Sequence, residues 1–283
     1  MPRNPRDTVG HTFKVAALLC LVCATLVSAA AVLLRERQQA NRLLDRRQNI
    51  LLAAGLWEPG RHVEALFEEV EARTVDLEEG WYTDAIDPED IEPRRVARDP
   101  DTSIRLPRDQ DVAGISRREQ YSPVYLVYED GRLDQVVLPA RGYGLWSTMW
   151  AFLALDADTL REGPEEVRIR GITFYEHGET PGLGGEIENP RWLQGWQGKR
   201  VFDEEWRVVL RVTKRADPED NYEIDALSGA TITSEGVNGM LRFWLGERGF
   251  GPYLQRLHEE LGRGDDAVLA APLRERPLAR EDS

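Results

Sequence analysis

Cysteine is nearly missing from this sequence: 283 residues hold two, Cys20 and Cys23. That scarcity excludes a disulfide scaffold, a four-Cys zinc site and a Cys-ligated iron–sulfur cluster built within the chain. Histidine is scarce too. There are four, and none follows a Cys-x-x-Cys pair, which excludes a c-type haem. Positive charge falls short, with 36 Lys and Arg against 50 Asp and Glu, a formal net charge of −14. Such a chain repels phosphate backbones and carries no basic run to offset the excess, so nucleic acid is excluded as a partner. No Gly-x-Gly-x-x-Gly follows a strand-like run, so no Rossmann site is evident, and no internal repeat is present. What remains is an apolar fraction of 41%, enough for a sizeable core in one or two domains.

Both cysteines lie in Val15 to Leu34, VAALLCLVCATLVSAAAVLL, a run of 20 residues without a charge. A helix of that length spans roughly 30 Å, one bilayer core. Small residues at Val27-Ser28-Ala29-Ala30 resemble a signal-peptide cleavage site, but the run exceeds the usual apolar region of a signal peptide. We read 15–34 as a retained transmembrane helix preceded by a tail, 1–14. No ionisable residue interrupts it, so an ion path through this helix is not expected. Arg3, Arg6 and Lys14 precede it, and Arg35, Arg37, Arg42, Arg46 and Arg47 follow it. Counted alone, these charges place the rest of the chain in the cytoplasm, a weak vote for a first helix with a short tail.

Residues 35–120 read as a helical and irregular first part of a soluble domain. Leu43, Leu44, Arg47, Ile50, Leu51 and Ala54 extend a helix that Gly55 stops. Val63, Leu66, Phe67 and Val70 predict a second helix over 62–74. Residues 76–120 are acidic and Pro-rich, and read as loops and short pieces. Strands then dominate. Val124 to Tyr128 and Leu133 to Leu138 flank Asp130-Gly131, a hairpin turn signal. Val167 to Tyr175 predicts a third strand. Trp206 to Thr213 predicts a fourth, with Trp206, Val208, Leu210 and Val212 on one face. Helices return over Ser234 to Leu245 and Tyr253 to Leu261, and 262–283 reads as a disordered tail. The expected class is α+β: an N-terminal transmembrane helix, then a mostly antiparallel twisted sheet flanked by helices.

Three short stretches carry the chemistry. In Asp225-Ala226-Leu227-Ser228-Gly229-Ala230-Thr231-Ile232-Thr233-Ser234, small and hydroxyl residues open a helix. Thr231, Thr233 and Ser234 each suit an N-cap. Gly229 and Ala230 leave the backbone open to a bulky anion, which free amides and the helix dipole would hold. On spacing alone, an ordinary capped helix explains the turn better than a ligand does. His177-Gly178-Glu179-Thr180-Pro181-Gly182-Leu183-Gly184-Gly185-Glu186 is glycine-rich, permits close backbone approach and lacks the Gly-Lys-Ser/Thr ending of a P-loop. Gly142-Tyr143-Gly144-Leu145-Trp146-Ser147-Thr148-Met149 offers Leu145 and Trp146, either as a cover for a flat ring or as core. Lys214, at the end of the fourth strand, reads on its own as an exposed strand-end lysine.

The stretch from Asp225 to Thr231 resembles the Asp-x-x-Ser/Thr-Gly-Ala-Thr pattern of covalent flavin carriers. The other two resemble the GETPGLG loop and the GxGLW segment of the same proteins. With the anchor, the RRQNILLAAGL helix at Arg46 to Leu56, the Gly144 to Met149 run and the helix Gly236 to Leu245, the chain resembles the NqrC family, the C subunits of the sodium-translocating NADH:quinone reductases. The resemblance covers most of the chain and is weakest over 75–120 and in the tail. It implies an FMN-binding domain over 121–261, with FMN joined by a phosphoester to Thr231. Asp225 and Ser228 then belong to the recognition pattern of a flavin transferase. Gly229, Ala230, Glu179, Thr180, Gly182, Leu183, Gly184, Leu145, Trp146 and Lys214 are the expected surroundings of the flavin. No metal ligand and no catalytic acid or base is expected, because electron relay needs only a positioned flavin.

The same resemblance implies partners and place. The partners would be the A, B, D, E and F subunits of the complex, the flavin transferase during maturation, and the lipid bilayer. The chain would cross the bacterial inner membrane once, with its soluble domain in the periplasm, against the local charge count. It would relay electrons from an iron–sulfur centre in the membrane toward the flavin of the B subunit, and would not oxidise NADH alone. The nearest rival is the flavin subunit of an Rnf-type ferredoxin:NAD oxidoreductase. The Gly-Leu-Trp-Ser-Thr-Met run and the long segment before residue 121 favour the sodium pump. A membrane-anchored FMN-binding sensor module would carry further spans or cysteine clusters, and a structural anchor without flavin would be colourless.

Overall fold

The computed structural model describes residues 9–263. Residues 1–8 and 264–283 lie outside the described residues, so most of the expected disordered tail is not described, while 9–14 of the expected N-terminal tail are already helical. The chain divides into two units, one ending at Arg46 and one beginning at Arg47. Helix α1, Val9–Ala53, forms the first unit and enters the second. Among the described residues it is the one helix long and apolar enough to cross a membrane, with a mean hydropathy of 2.7 over its most apolar stretch. Its end matches expectation. Gly55 takes a φ of 70°, and the Leu56 amide donates to the Leu51 carbonyl at 2.8 Å, closing the helix in a Schellman turn.

The second unit is built on a six-stranded antiparallel sheet. Its strands are β1 Val70–Asp76, β2 Trp81–Tyr82, β5 Tyr121–Glu129, β6 Arg132–Tyr143, β7 Thr148–Asp156 and β8 Ile169–Glu176. The spatial order is β2-β1-β5-β6-β7-β8. Between β2 and β5 the chain is largely irregular, with one short helix, α3 Pro93–Val96, and the two-stranded ladder β3 Ser103–Arg105 and β4 Arg117–Glu119. A one-turn helix, α2 Val63–Leu66, precedes β1. The β5–β6 hairpin turns at Asp130 and Gly131, with φ of 50° and 77°, as the Asp-Gly signal requires.

One face of the sheet packs Leu126, Val136, Leu138, Leu153 and Leu155 against three helices, α4 Ala157–Glu162, α6 Thr231–Trp244 and α7 Gly251–Gly262. The opposite face packs Tyr125, Val127, Val137 and Phe152 against Ile50, Leu51 and Ala53 at the end of α1. The expected α+β class is therefore present. A short helix, α5 Pro190–Gln194, and a parallel two-stranded pair, β9 Arg211–Thr213 and β10 Glu223–Asp225, complete the unit. Inside it, Arg141 and Glu119 form a buried bidentate pair at 2.8 and 2.5 Å. The guanidinium lies between the Trp150 and Trp244 rings.

Three local expectations fail. The helix over 62–74 stops at Leu66, and after a 3-10 turn the chain becomes β1, because Val70 to Asp76 pair in full register with β5. Tertiary pairing overrides a helical spacing of four apolar residues. The strand expected over 206–213 exists only at Arg211–Thr213. Trp206 takes a φ of 62°, which breaks any extended run, although its ring still packs on Phe202. The last helix-opening turn also differs: α6 begins at Thr231 rather than Ser234, with Ala230 as N-cap and no side-chain cap.

Candidate functional site

The three motif stretches meet at the start of α6. The first is the tight turn between β6 and β7, from Gly144 to Ser147, where the Gly144 amide donates to the Ser147 carbonyl at 2.8 Å. The second is the loop after β8. There Gly182 has a φ of 76°, and the Thr180 carbonyl accepts from the Leu183 and Gly185 amides at 3.1 and 2.9 Å. The third is the turn from Ala226 to Ala230, where Gly229 has a φ of 74° and the Ala230 amide donates to the Leu227 carbonyl at 3.1 Å.

Glu179 ties these stretches together. The residue is 4% exposed. Its carboxylate accepts from the Thr233 hydroxyl at 2.5 Å, the Trp146 amide at 3.0 Å and the Leu145 amide at 3.1 Å. Burial by itself disfavours the charged form. The Thr233 hydroxyl and the Trp146, Leu145 and Ser147 amides outweigh it and hold the carboxyl below its ordinary value. Gly144 and Gly184 wall the group in. A Cβ on Gly144 would stand 2.6 Å from Glu179 Oε1, and one on Gly184 would stand 2.5 Å from Thr233 Oγ1. Ser147 adds a second tie, its Oγ accepting from the Gly178 amide at 2.6 Å. His177 acts as a loop hydrogen-bonder, its Nδ1 accepting from the Glu179 amide at 3.1 Å.

The other expected residues fall into two groups. Leu145, Trp146 and Leu183 are exposed by 42%, 64% and 45%, so Trp146 is not core. The Trp146 indole donates to Thr180 Oγ1 at 3.1 Å, which links the first two stretches. Leu183 leans over the third stretch, 3.1 Å from where a Gly229 Cβ would stand. Thr231 is exposed at the uncapped helix start, beside exposed Ile232. Asp225, Ser228 and Gly229 are exposed and Ala230 is buried. The Asp225 carboxylate accepts from the Ala216 amide at 2.9 Å, and its carbonyl accepts from the Trp192 indole at 2.7 Å, so it shapes the turn. Lys214 is exposed just past β9, whose Thr213 faces Asp225.

The arrangement fits FMN on its own chemistry. The first-turn amides of α6 have no side-chain cap and suit a phosphate. Exposed Leu145, Trp146 and Leu183 on the first two stretches, with Ile232 on the helix itself, suit a flat apolar ring. Sequence reasoning offered Thr233 only as a possible N-cap and gave Ser147 and Ile232 no role. The exposed apolar residue between two hydroxyls was the available signal for Ile232. Nothing local signals that Thr233 and Glu179 meet.

Comparison with known proteins agrees with this geometry. The family model described as FMN-binding domain matches residues 144–246, which span all three stretches. The C subunit of the Na(+)-translocating NADH-quinone reductase of Pseudomonas aeruginosa is 44% identical over 262 residues, 90% of this chain and 98% of the relative. The C subunit of the same enzyme from Yersinia pestis is 46% identical over 264 residues, 91% of this chain and 96% of the relative. Among solved structures, Shewanella oneidensis NqrC superposes with a TM-score of 0.69 at 32% identity, covering 76% of this chain and 98% of that one. The C subunit from Parabacteroides distasonis gives 0.60 at 27% identity, covering 79% and 96%. On identity of this level over nine-tenths of its length, the chain belongs to the NqrC family, the C subunits of the Na+-translocating NADH-quinone reductases.

Proposed function

We propose that this chain is the electron-carrying C subunit of a Na+-translocating NADH-quinone reductase and relays electrons through FMN bound by a phosphoester to Thr231. The observation that carries the reading is that Thr231 is exposed at an uncapped helix start where three motif loops meet, two of them bearing the exposed apolar Leu145, Trp146 and Leu183. FMN supplies the electron chemistry, which no side chain of this site provides. The chain's own residues bind and shield. The α6 amides would hold the phosphate, while Leu145, Trp146 and Leu183 would shield the ring from water. Asp225 and Ser228 present the turn to the flavin transferase. Gly182, Gly229 and Ala230 would leave the backbone open to the flavin, Gly184 lets its loop close on Thr233, and exposed Lys214 would offer a cation.

The N-terminal apolar helix anchors the chain in a membrane. We place that membrane as the bacterial inner membrane and the soluble domain in the periplasm, among the A, B, D, E and F subunits. The wide coverage of relatives that are C subunits of the sodium pump supports this reading over an Rnf-type or sensor protein.

Peptide mass mapping of the mature protein tests the site. One FMN mass should appear on the peptide spanning Thr231. Thr231→Ala should lose it, and Thr233→Ala should keep it. Modification that survives in Thr231→Ala would sink the assignment.

A further inference from the structure

The first turn of α6 carries three hydroxyls, and two of them are engaged. Ser234 is 3% exposed, and its Oγ accepts from the Leu227 amide at 3.2 Å. Thr233 is 1% exposed, and its Oγ1 donates to Glu179 at 2.5 Å. Thr231 alone faces solvent. Ser234 is held by the backbone of its own turn, but Thr233 is held by a carboxylate 54 residues away.

We propose that Glu179 is a positioning residue that sets the site of flavin attachment by withholding the Thr233 hydroxyl and leaving Thr231 as the acceptor. The proposal rests on the reading of Thr231 as the flavin-bearing residue. The transfer consumes an FMN held in a phosphoanhydride. The threonine oxygen bonds to the flavin phosphorus, and the anhydride bond to that phosphorus breaks. The leaving phosphate takes the electron pair, and the hydroxyl proton passes to solvent. An oxygen can attack only where phosphorus can approach it in line. A carboxylate beside a hydroxyl also resembles a base beside its nucleophile. Here Gly184 packs on the bonded pair, since a Cβ there would sit 2.5 Å from Thr233 Oγ1 and 2.9 Å from Glu179 Oε2, and with the Glu179 side chain in place no room is left for phosphorus at that oxygen. The bond therefore sequesters Thr233 rather than activating it. The same carboxylate holds the Leu145 and Trp146 amides, so the cover over Thr233 and the hold on it have one origin.

The test maps flavin in the full chain matured with its flavin transferase. Wild type should carry FMN on Thr231; FMN elsewhere would refute the parent reading and not this one. Thr231→Ala should carry no more than a trace of FMN on Thr233. FMN there at wild-type yield, with Glu179 intact, would overturn the proposal without any change at Glu179. Adding Glu179→Ala to Thr231→Ala should release Thr233 and raise its modification by about tenfold or more, the bias that one hydrogen bond to a charged group imposes. Glu179→Asp in the same background covers the case in which the alanine variant does not fold. It keeps a carboxylate in the loop while shortening its reach toward Thr233 by one methylene. An unmodified Thr233 in a folded double variant would overturn the proposal. A merely structural role for Glu179 would lower the yield of flavin without moving it to a new residue.

Discussion

At the scale of single residues, the buried carboxylate of Glu179 makes a prediction about acid. The group is held below its ordinary value of 4.5. As pH falls, the unfolded chain takes up the proton before the folded one does. The stability contributed by this carboxylate is therefore whole above the ordinary value, and is lost as pH drops through the lower folded value. Glu179→Gln should lower stability at neutral pH and flatten the acid side of the stability–pH curve, read by thermal unfolding in a series of buffers. An acid limb as steep as that of wild type would show that another carboxyl governs it. This residue also marks a limit of sequence reading. Its place in the glycine-rich loop was legible, but its partner Thr233 was not, because a contact across 54 residues leaves no local pattern.

At the scale of elements, the helix that presents Thr231 is located by glycines. A Cβ on Gly236 would stand 2.4 Å from the Tyr143 carbonyl oxygen, and one on Gly239 would stand 2.2 Å from that of Val112. Backbone here touches backbone, so α6 lies against the end of β6 and brings Thr231 to the β6–β7 turn. Gly239→Ala should destabilise the fold by about 1–3 kcal/mol through overpacking, despite the helix propensity gained. Gly262→Ala, where a Cβ meets nothing within 4 Å, should be neutral or slightly stabilising. Equal melting temperatures for the two variants would refute the packing argument. Elements with a strong local signal were legible: the Asp-Gly hairpin, α6 from its apolar spacing, and α7 with Leu254, Leu257 and Leu261 buried. Strand β7 was not, because both of its faces are covered and TMWAFLALD lacks alternation. Strand β1 was hidden behind a helical spacing, because its identity comes from pairing with β5.

At the scale of the whole molecule, two expectations depend on membrane and complex. A reporter fused after Ser283 should be active only if its type works in the periplasm. Activity of a cytoplasmic reporter would overturn the proposed topology and leave the flavin transferase on the wrong side. The relay role is tested by separating entry of electrons from their onward flow. The main sheet is antiparallel, and the sequence has no Gly-x-Gly-x-x-Gly after a strand, so no Rossmann site for NADH is evident among the described residues. The isolated protein should contain one flavin, be reducible by dithionite and show no NADH oxidation. Within the assembled complex, Thr231→Ala removes the proposed attachment point while leaving the buried Glu179 network in place. NADH-to-quinone electron flow should then stop. NADH reduction of artificial acceptors at the point of electron entry should stay nearly intact, because that step precedes this chain. If both activities fell together in a complex that still assembles, the flavin would not be a downstream relay. If neither fell, electrons would bypass this site, and the apolar loops around Thr231 would need another purpose.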